Sequence, residues 1–390
     1  MMKFTAEHEK NNANLLEKLR NYSEEITEND HTIFLKIIST KLDKWQINQI
    51  ITPAEIFPRQ KYVLATHWHP EFVPMELNRE RIEKMFPNRK DELIIPTQHN
   101  EFMTYGSYTG AEVDCYASGF HEKVQLLIHF ESGKLKDKDT MLRSMLAHTR
   151  KYRASQLFDF TNSFTKPVEE RMHAASKKTG IEPVAVKFAC TVVKKIEWLL
   201  DEYWDKVPDF SLRNKLVRNY FDALRPEFGH QFIDRVQTFV NEVKKIVKRN
   251  FPLEYFYRAS EVIEEVRGIG GGIVIPHPEQ FWPILLGRYD VDGYEVWNPQ
   301  SNRYTEFLID VVNEHNKHRR SSSKELLILM GDDCHQGEKT RRKDEQDPEK
   351  TEREIGLQPA WDALNIQKKL IRGGVTRASV IDEYRCRLSG

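Results

Sequence analysis

Apolar and polar positions divide the chain into stretches of different period. Over residues 1–50 the apolar positions recur at helical spacing, in Leu15, Leu16 and Leu19 and again in Ile33, Phe34, Leu35, Ile37 and Ile38. Short, largely apolar segments then follow, at Lys61–Thr66, Leu93-Ile94-Ile95, Gly110–Asp114 and Val124–Phe130, and each predicts a strand. Between the first two, Leu77, Ile82, Met85 and Phe86 predict a helix over Met75–Phe86. From 137 to 265 the period becomes 3.6, most clearly in Val192–Leu200 and in Phe232, Val236, Phe239, Val240, Val243 and Val247. Strand texture returns at Ile273-Val274-Ile275, Val291–Asn298 and Glu325–Met330. The charged tract Lys339–Pro348 predicts a solvated loop. These changes divide the chain into an N-terminal helical segment (1–55), the first part of an α/β domain (56–136), a helical insertion (137–265) and the rest of the α/β domain with C-terminal helices (266–390).

Composition narrows the function. The chain has 390 residues, with 59 Lys+Arg balanced by 59 Asp+Glu. A broad nucleic-acid footprint would leave a basic excess, so a small ligand is favoured over a nucleic acid. The polar start, Met1–His8, lacks the apolar core of a signal peptide, and no run approaches the ~20 apolar residues of a membrane span. Cys115, Cys190, Cys334 and Cys386 are scattered without CxxC pairing, which fits a reducing, cytoplasmic setting without disulfides.

The chemistry lies where the apolar runs end. His67-Trp68-His69 closes the first run and Asp333-Cys334-His335 closes the last. A spacing of i, i+2 on a strand turns both side chains to one side, and Cys334 between two of them should point away. Adding His99, Glu112 and His277, each at a strand end or within a strand, gives seven imidazole and carboxylate groups suited to Zn, Mn or Fe. A carboxylate such as Glu112 can bridge two ions, an arrangement suited to hydrolysis. Other active-site patterns are missing. There is no nucleophile elbow and no GxxxxGK loop, and Gly268–Gly272 precedes a strand, the wrong order for a dinucleotide fingerprint. Each feature also has an ordinary reading. Isolated histidines pack or face solvent, the basic clusters Lys244–Arg249 and His318–Arg320 are commonly solvated faces, and Trp68, Trp282 and Trp297 are commonly core residues.

In their order along the chain these motifs resemble the PHP (polymerase and histidinol phosphatase) superfamily of metal-dependent phosphoesterases. That family carries HxH, TDH, GxE, a strand histidine, AHP, GxEvyN and GSDxH. The counterparts here are His67-Trp68-His69, Thr97-Gln98-His99, Gly110-Ala111-Glu112, Val124-Gln125-Leu126-Leu127, Pro276-His277-Pro278, Gly293–Asn298 and Gly331-Asp332-Asp333-Cys334-His335. They span roughly 60–130 and 268–360. The resemblance implies a distorted (β/α)7 barrel interrupted by a large helical insertion, with two or three divalent metal ions (Mn, Zn or Fe) at the strand C-termini. His67, His69, Glu112 and Asp333 would hold one ion, Glu112 would bridge to a second held by His277, and His99 and His335 would serve a third. Glu112, Asp333 and His335 would also be the catalytic residues, and Glu295 would support the site indirectly. Two positions depart from the pattern: Gln98 replaces an aspartate and Gln125 a histidine. His121 is the preferred substitute ligand over His129. The implied activity is hydrolysis of a phosphate ester, on a small phosphomonoester or nucleotide in preference to nucleic acid. The alternatives are a non-catalytic interaction module whose helical region binds a protein, a 3′-5′ exonuclease, and a metal-dependent amidohydrolase.

Overall fold

The computed structural model describes residues 15–135, 140–287, 289–318, 324–343 and 346–390. Its contacts divide the chain into two compact units, Met1–Thr40 with Lys151–Pro252, and Lys41–Arg150 with Leu253–Gly390.

The second unit is mixed α/β. Its strands, among the described residues, are β1 (Tyr62–Ala65), β2 (Trp68–His69), β3 (Asp91–Ile94), β4 (Met103–Tyr105), β5 (Tyr108–Ala117), β6 (Glu122–Glu131), β7 (Gly272–Ile275), β8 (Gly293–Trp297), β9 (Leu327–Met330) and β10 (Cys334–His335). They form a six-stranded sheet in the order β4-β5-β6-β7-β8-β9 and two parallel pairs, β1-β3 and β2-β10. The strands do not form one continuous hydrogen-bonded ring. Single contacts link the pieces, among them the His99–Glu112 bridge and the bond from Thr97 N–H to the Trp68 carbonyl at 2.8 Å.

The apolar runs form strands because both of their faces are covered. On β1, Leu64 joins the large core beneath the six-stranded sheet, while Val63 and Ala65 join a second cluster with Ile82, Met85 and Phe86. Leu93 and Ile94 divide in the same way. The helix Met75–Met85 supplies the crossover that parallel β1 and β3 require. On β5 the faces differ in chemistry. Ala111, Val113, Cys115 and Ala117 enter the core, whereas Glu112 and Asp114 lie buried on the opposite face. A two-residue period therefore carries an acidic face through the centre of the unit.

The boundaries differ from those expected from sequence. The N-terminal segment divides at Thr40/Lys41: Phe34 and Ile38 pack in the helical unit, while helix Lys44–Ile51 gives its carbonyls to Arg81 and a side chain, Gln46, to Thr340. The insertion begins and ends inside the expected 137–265. Leu142, Met145 and Leu146, and Ala259, Val262, Ile263 and Val266 of helix Ala259–Ile269, bury their apolar faces in the α/β core. The charged tract is not wholly solvated either. Lys339 is buried and donates to Thr351 O at 2.7 Å and Glu354 Oε1 at 2.9 Å, while Asp344 and Glu345 lie outside the described residues.

The helical unit is built around phenylalanine. Helices Pro183–Glu202, Lys215–Ala223 and His230–Asn250 present Phe188, Phe221, Phe232 and Phe239, and Phe188 meets the Phe228 and Phe232 rings at 4.7 and 5.3 Å. One buried charge pair crosses this core. Asp30 sits in the first turn of helix Glu28–Ile38 and accepts from Thr27 N at 2.8 Å, Thr27 Oγ1 at 2.8 Å, Lys195 Nζ at 2.9 Å and Tyr220 OH at 2.7 Å. Burial would raise the Asp30 pKa, but the bonds from Lys195, Tyr220 and Thr27 hold it below the usual carboxylate value.

Because its folded pKa lies below the unfolded one, Asp30 contributes stability above the unfolded pKa of about 3.9, and this is lost as pH falls through the folded value. Replacing Lys195 with Met leaves a buried carboxylate without its counter-charge, at an expected cost of about 3–5 kcal/mol. Chemical denaturation at pH 7 followed by far-UV circular dichroism measures this. A loss below about 1 kcal/mol would show that the pair behaves as a solvated one.

Candidate metal centre

The β2-β10 pair brings together the two ends of the α/β sequence. Its register sets His335 against His69 and Cys334 against Trp68, and Asp333 N–H donates to the His67 carbonyl at 2.8 Å. Period-2 alternation then sorts the side chains. Trp68 and Cys334 turn into the apolar cluster, while His69 and His335 face each other with ring centroids 4.2 Å apart. His99 also stacks on His69, at 4.5 Å, and lies 5.9 Å from His335. Glu112 enters from the middle of β5 and His277 from the end of β7.

The donor atoms converge. Glu112 Oε1 lies 4.0 Å from His67 Nε2 and 3.8 Å from His277 Nε2. Glu112 Oε2 lies 3.5 Å from His69 Nε2 and 2.6 Å from His99 Nδ1. Asp333 Oδ1 is 3.8, 3.6 and 3.4 Å from the Nε2 atoms of His67, His69 and His335. Three groups of donors, His69/His99/His335, His67/Glu112/His277 and His67/His69/Asp333, could each hold a metal ion. Two ligands tetrahedrally placed about 2.1 Å from a shared ion stand about 3.4 Å apart, close to most of these separations. The donor set also fits by its unmet needs. His67 Nε2 and both ring nitrogens of His69 are buried outside hydrogen-bond geometry with any group. Such atoms are costly unless something coordinates them.

The carboxylates and imidazoles set one another's charge. Burial would lower the His67 pKa, but Glu295, Asp333 and Glu112 raise it to about 10. Burial together with His335 and His99 pushes His69 down to about 3. Burial would raise both acids, yet His99, His277 and His69 hold Glu112, and His335, His69 and His67 hold Asp333, well below the ordinary range. The acids are thus ionised and His69 is neutral, the forms that bind cations, and a cation held by His67 Nε2 would displace the proton that these acids favour there.

A supporting layer holds these groups in place. His67 Nδ1 meets Glu295 Oε1 at 2.8 Å, leaving Nε2 aimed at Glu112 and Asp333. Glu295 Oε2 accepts from the His277 backbone N–H at 2.7 Å, so one carboxylate orients the His67 ring and anchors the main chain that carries His277. Gly331 makes room for it, since a Cβ there would overlap Glu295 Oε1. Arg353 Nη1 donates to Asp333 Oδ2 at 2.7 Å and to its carbonyl at 3.0 Å, and Gln300 Nε2 reaches the same Oδ2 at 2.5 Å. Asp332 turns the other way and accepts from Gly356 N–H at 2.8 Å; burial raises its pKa well above normal. Glu71, His277 and Asp333 hold positive φ values of 55°, 28° and 43°, local strain that the surrounding contacts sustain.

Six expected histidine and aspartate ligands, His67, His69, His99, His277, Asp333 and His335, gather with Glu112. His121 does not join them. It lies in the turn joining β5 to β6, where its Nδ1 meets Tyr116 OH at 3.0 Å. Along β5 that turn is at least five residues from Glu112, or about 17 Å. Gln125, where the resemblance expects a histidine, sits opposite Asp114 in register, two pairs along from Glu112. His129 works beneath the centre. Its Nε2–H donates to the Thr66 carbonyl at 3.0 Å and its Nδ1 accepts from Tyr384 OH at 2.7 Å, the only tautomer that serves both partners. Burial lowers its pKa to about 3, keeping it neutral. Gln98 is used structurally: its Oε1 accepts from Glu71 N–H at 3.2 Å and its carbonyl from Glu112 N–H at 3.0 Å. Glu71 was not foreseen, and neither were Gln300 and Arg353. Glu71 packs against Gly337 and meets His335 Nδ1 at 3.3 Å. Of the candidate aromatics, Trp68 and Trp297 are buried, whereas Trp282 is exposed.

No family model and no curated protein matches this chain. Among solved structures, a Bifidobacterium adolescentis protein that is a candidate metal-dependent phosphoesterase aligns with 81% of this chain and 97% of its own, at 16% identity and a TM-score of 0.40. At that distance the likeness carries no argument about the site.

Glu295→Gln weakens the acceptor that orients the His67 ring and anchors the His277 main chain, and Gly331→Ala displaces the same carboxylate. Each is expected to reduce manganese or zinc affinity by about 10–100-fold, as loss of such supporting contacts does elsewhere. Calorimetric titration measures this, with circular dichroism as the check on folding. Wild-type affinity in both variants would remove Glu295 from the centre.

Proposed function

We propose that the α/β unit is a metal-dependent phosphoesterase of the PHP type. The observation that carries this reading is the convergence of buried His, Glu and Asp donors on shared ion positions, with several donor atoms lacking any other partner. The motif order and the parallel pairs β1-β3, β7-β8 and β8-β9 support a distorted barrel of the kind that family uses, with β4, β5, β6 and β7 pairing antiparallel. His67, His69, Glu112 and Asp333 would hold one ion, with His277, His99 and His335 completing the others. Divalent ions bound there activate water as a nucleophile and neutralise charge on the phosphoryl oxygens.

The chain's own groups divide the remaining work. Glu112 presents both oxygens to different histidines, as a bridging carboxylate must. Arg353 and Gln300 fix Asp333, so its free Oδ1 stays directed at His67, His69 and His335. The centre opens on one side: the side chains of His99 and His335 are 19% and 20% exposed, against 1% or less for His67 and His69. The ester would therefore enter over His99 and His335. His335, steadied through Nδ1 by Glu71, would present Nε2 to an ion on that open side.

Purified protein is expected to carry two or three equivalents of Mn, Fe or Zn and to hydrolyse a generic aryl phosphate. His67→Ala should lose both the metal and at least about 100-fold of the activity, as expected when an electrostatic group at the reacting centre is removed. Metal analysis and a panel of phosphate esters and amides decide between the readings. A stable protein that neither contains nor takes up metal would point to an interaction module. Hydrolysis of amides but not phosphate esters would point to an amidohydrolase.

A further inference from the structure

A cavity of about 360 Å³ lies within the α/β unit, apart from the donor cluster. Tyr116 lines it, four positions beyond Glu112 on β5 and so about 13 Å along the strand. The other walls come from His148 of helix Thr140–Thr165, and from Glu254–Arg258, which lead into helix Ala259–Ile269. Tyr116 and Phe256 are buried, whereas Tyr255 is exposed. Contacts of their own hold the rings in place. Tyr116 N–H donates to the Tyr257 carbonyl at 2.8 Å, and Tyr116 OH meets His121 Nδ1 at 3.0 Å. The Tyr257 and His148 rings meet edge to face at 5.3 Å, and His148 Nε2 meets the Tyr255 carbonyl at 3.2 Å. On Phe256, the Lys123 ammonium stands 5.5 Å from the ring centre.

Two opposite charges on this cavity are unmatched. Glu261 accepts from the Arg258 backbone N–H at 2.8 Å, so its carboxylate is engaged in starting the helix. The Arg258 guanidinium and the Glu254 carboxylate line the same cavity. Among the described residues neither has an ion-pair or hydrogen-bond partner, and they do not pair with each other. A guanidinium offers a fork of donors to a carboxylate. A carboxylate beside aromatic faces suits an ammonium. One ligand carrying both charges would satisfy both groups at once, and the rings would receive its apolar part. The volume lies near the low end for small-molecule sites, roughly 300–1,000 Å³, which suits a ligand the size of a single amino acid.

We propose that this cavity binds a free amino acid with a large apolar side chain. Arg258 holds its carboxylate, Glu254 its ammonium, and the rings of Tyr116, Tyr255, Phe256 and Tyr257 surround its side chain. No residue that lines the cavity belongs to the donor groups of the metal centre, so amino-acid binding is independent of the phosphoesterase reading.

The test is calorimetry on the full chain, with and without manganese, using L-phenylalanine, L-leucine, L-phenylalaninamide and N-acetyl-L-phenylalanine. L-Phenylalanine should bind with equal affinity in both states of the protein. The amide lacks the carboxylate and the N-acetyl form lacks the ammonium. Each should bind at least about 10-fold more weakly, the scale of one charge-assisted hydrogen bond. Arg258→Gln should abolish the preference for the acid over the amide and keep the preference over the N-acetyl form. Glu254→Gln should do the reverse. Damage to the fold would not divide in this way, and circular dichroism checks it. No binding of either amino acid at millimolar concentration overturns the proposal, as does equal binding of acid and amide. An N-acetyl form that binds as tightly as phenylalanine would reduce the cavity to a carboxylate site and overturn the paired recognition. Tighter binding in the manganese-loaded protein would place the amino acid on the metal and overturn the assignment to this cavity.

Discussion

The candidate centre depends on one short parallel pairing. Asp333 N–H to the His67 carbonyl, followed by the register of Cys334 with Trp68 and His335 with His69, joins residues more than 260 positions apart. No local interaction could align these pairs, because the alternation that turns a side chain to one face acts only within a strand. The pairing makes two alternations coincide. Trp68 and Cys334 both enter the apolar cluster, so His69 and His335 must both face the donors. A one-residue slip would bury two imidazoles in hydrocarbon and expose an indole and a thiol, a penalty that fixes the register.

The surrounding structure explains how such a concentration of buried polar groups is tolerated. Two of the donors that face the centre are held from behind, His67 by Glu295 and Asp333 by Arg353 and Gln300, while His129 braces the Thr66 carbonyl beside His67. The strained backbone at Glu71, His277 and Asp333 belongs to the same arrangement, since these residues leave regular strand geometry where the side chains must converge. Stability and function pull in opposite directions here. The orphaned atoms at the front of His67 and His69 destabilise the folded chain unless a cation satisfies them.

Much of this was legible in the sequence, for a definite reason. Strands buried on both faces read as unbroken apolar runs, so β1, β3, β6, β7 and β9 stand out and an ionisable residue at the end of each is conspicuous. Period-2 spacing then implied that His67 with His69, and Asp333 with His335, share a side. What stayed hidden depends on contacts distant in sequence. Arg353 and Gln300 lie in polar stretches resembling any surface loop, and only the fold brings them against Asp333. Glu71 follows a proline two residues after His69, where nothing marks it as buried. His121 was the wrong choice over His129 as a residue near the centre because a hairpin turn, invisible in composition, carries it away along β5. The unit boundaries were displaced for a similar reason: helix periodicity shows that a segment is amphipathic without saying which core receives its apolar face.

The two glutamines that depart from the family pattern bear differently on the site. Gln125 contributes no side chain to the donor groups, and no residue replaces the missing imidazole there. Gln98, by contrast, does work that an aspartate one methylene shorter would do less well. Its amide oxygen caps the Glu71 N–H, while its backbone carbonyl holds Glu112 N–H in the bridge that aligns His99 with Glu112. The same residue therefore secures the carboxylate that faces four histidines and positions a second carboxylate against His335. A substitution that removes a charge at one position is accompanied by a buried charge, Glu71, a few ångströms from the same imidazole. The acidic character around His335 is thus supplied from the loop after β2.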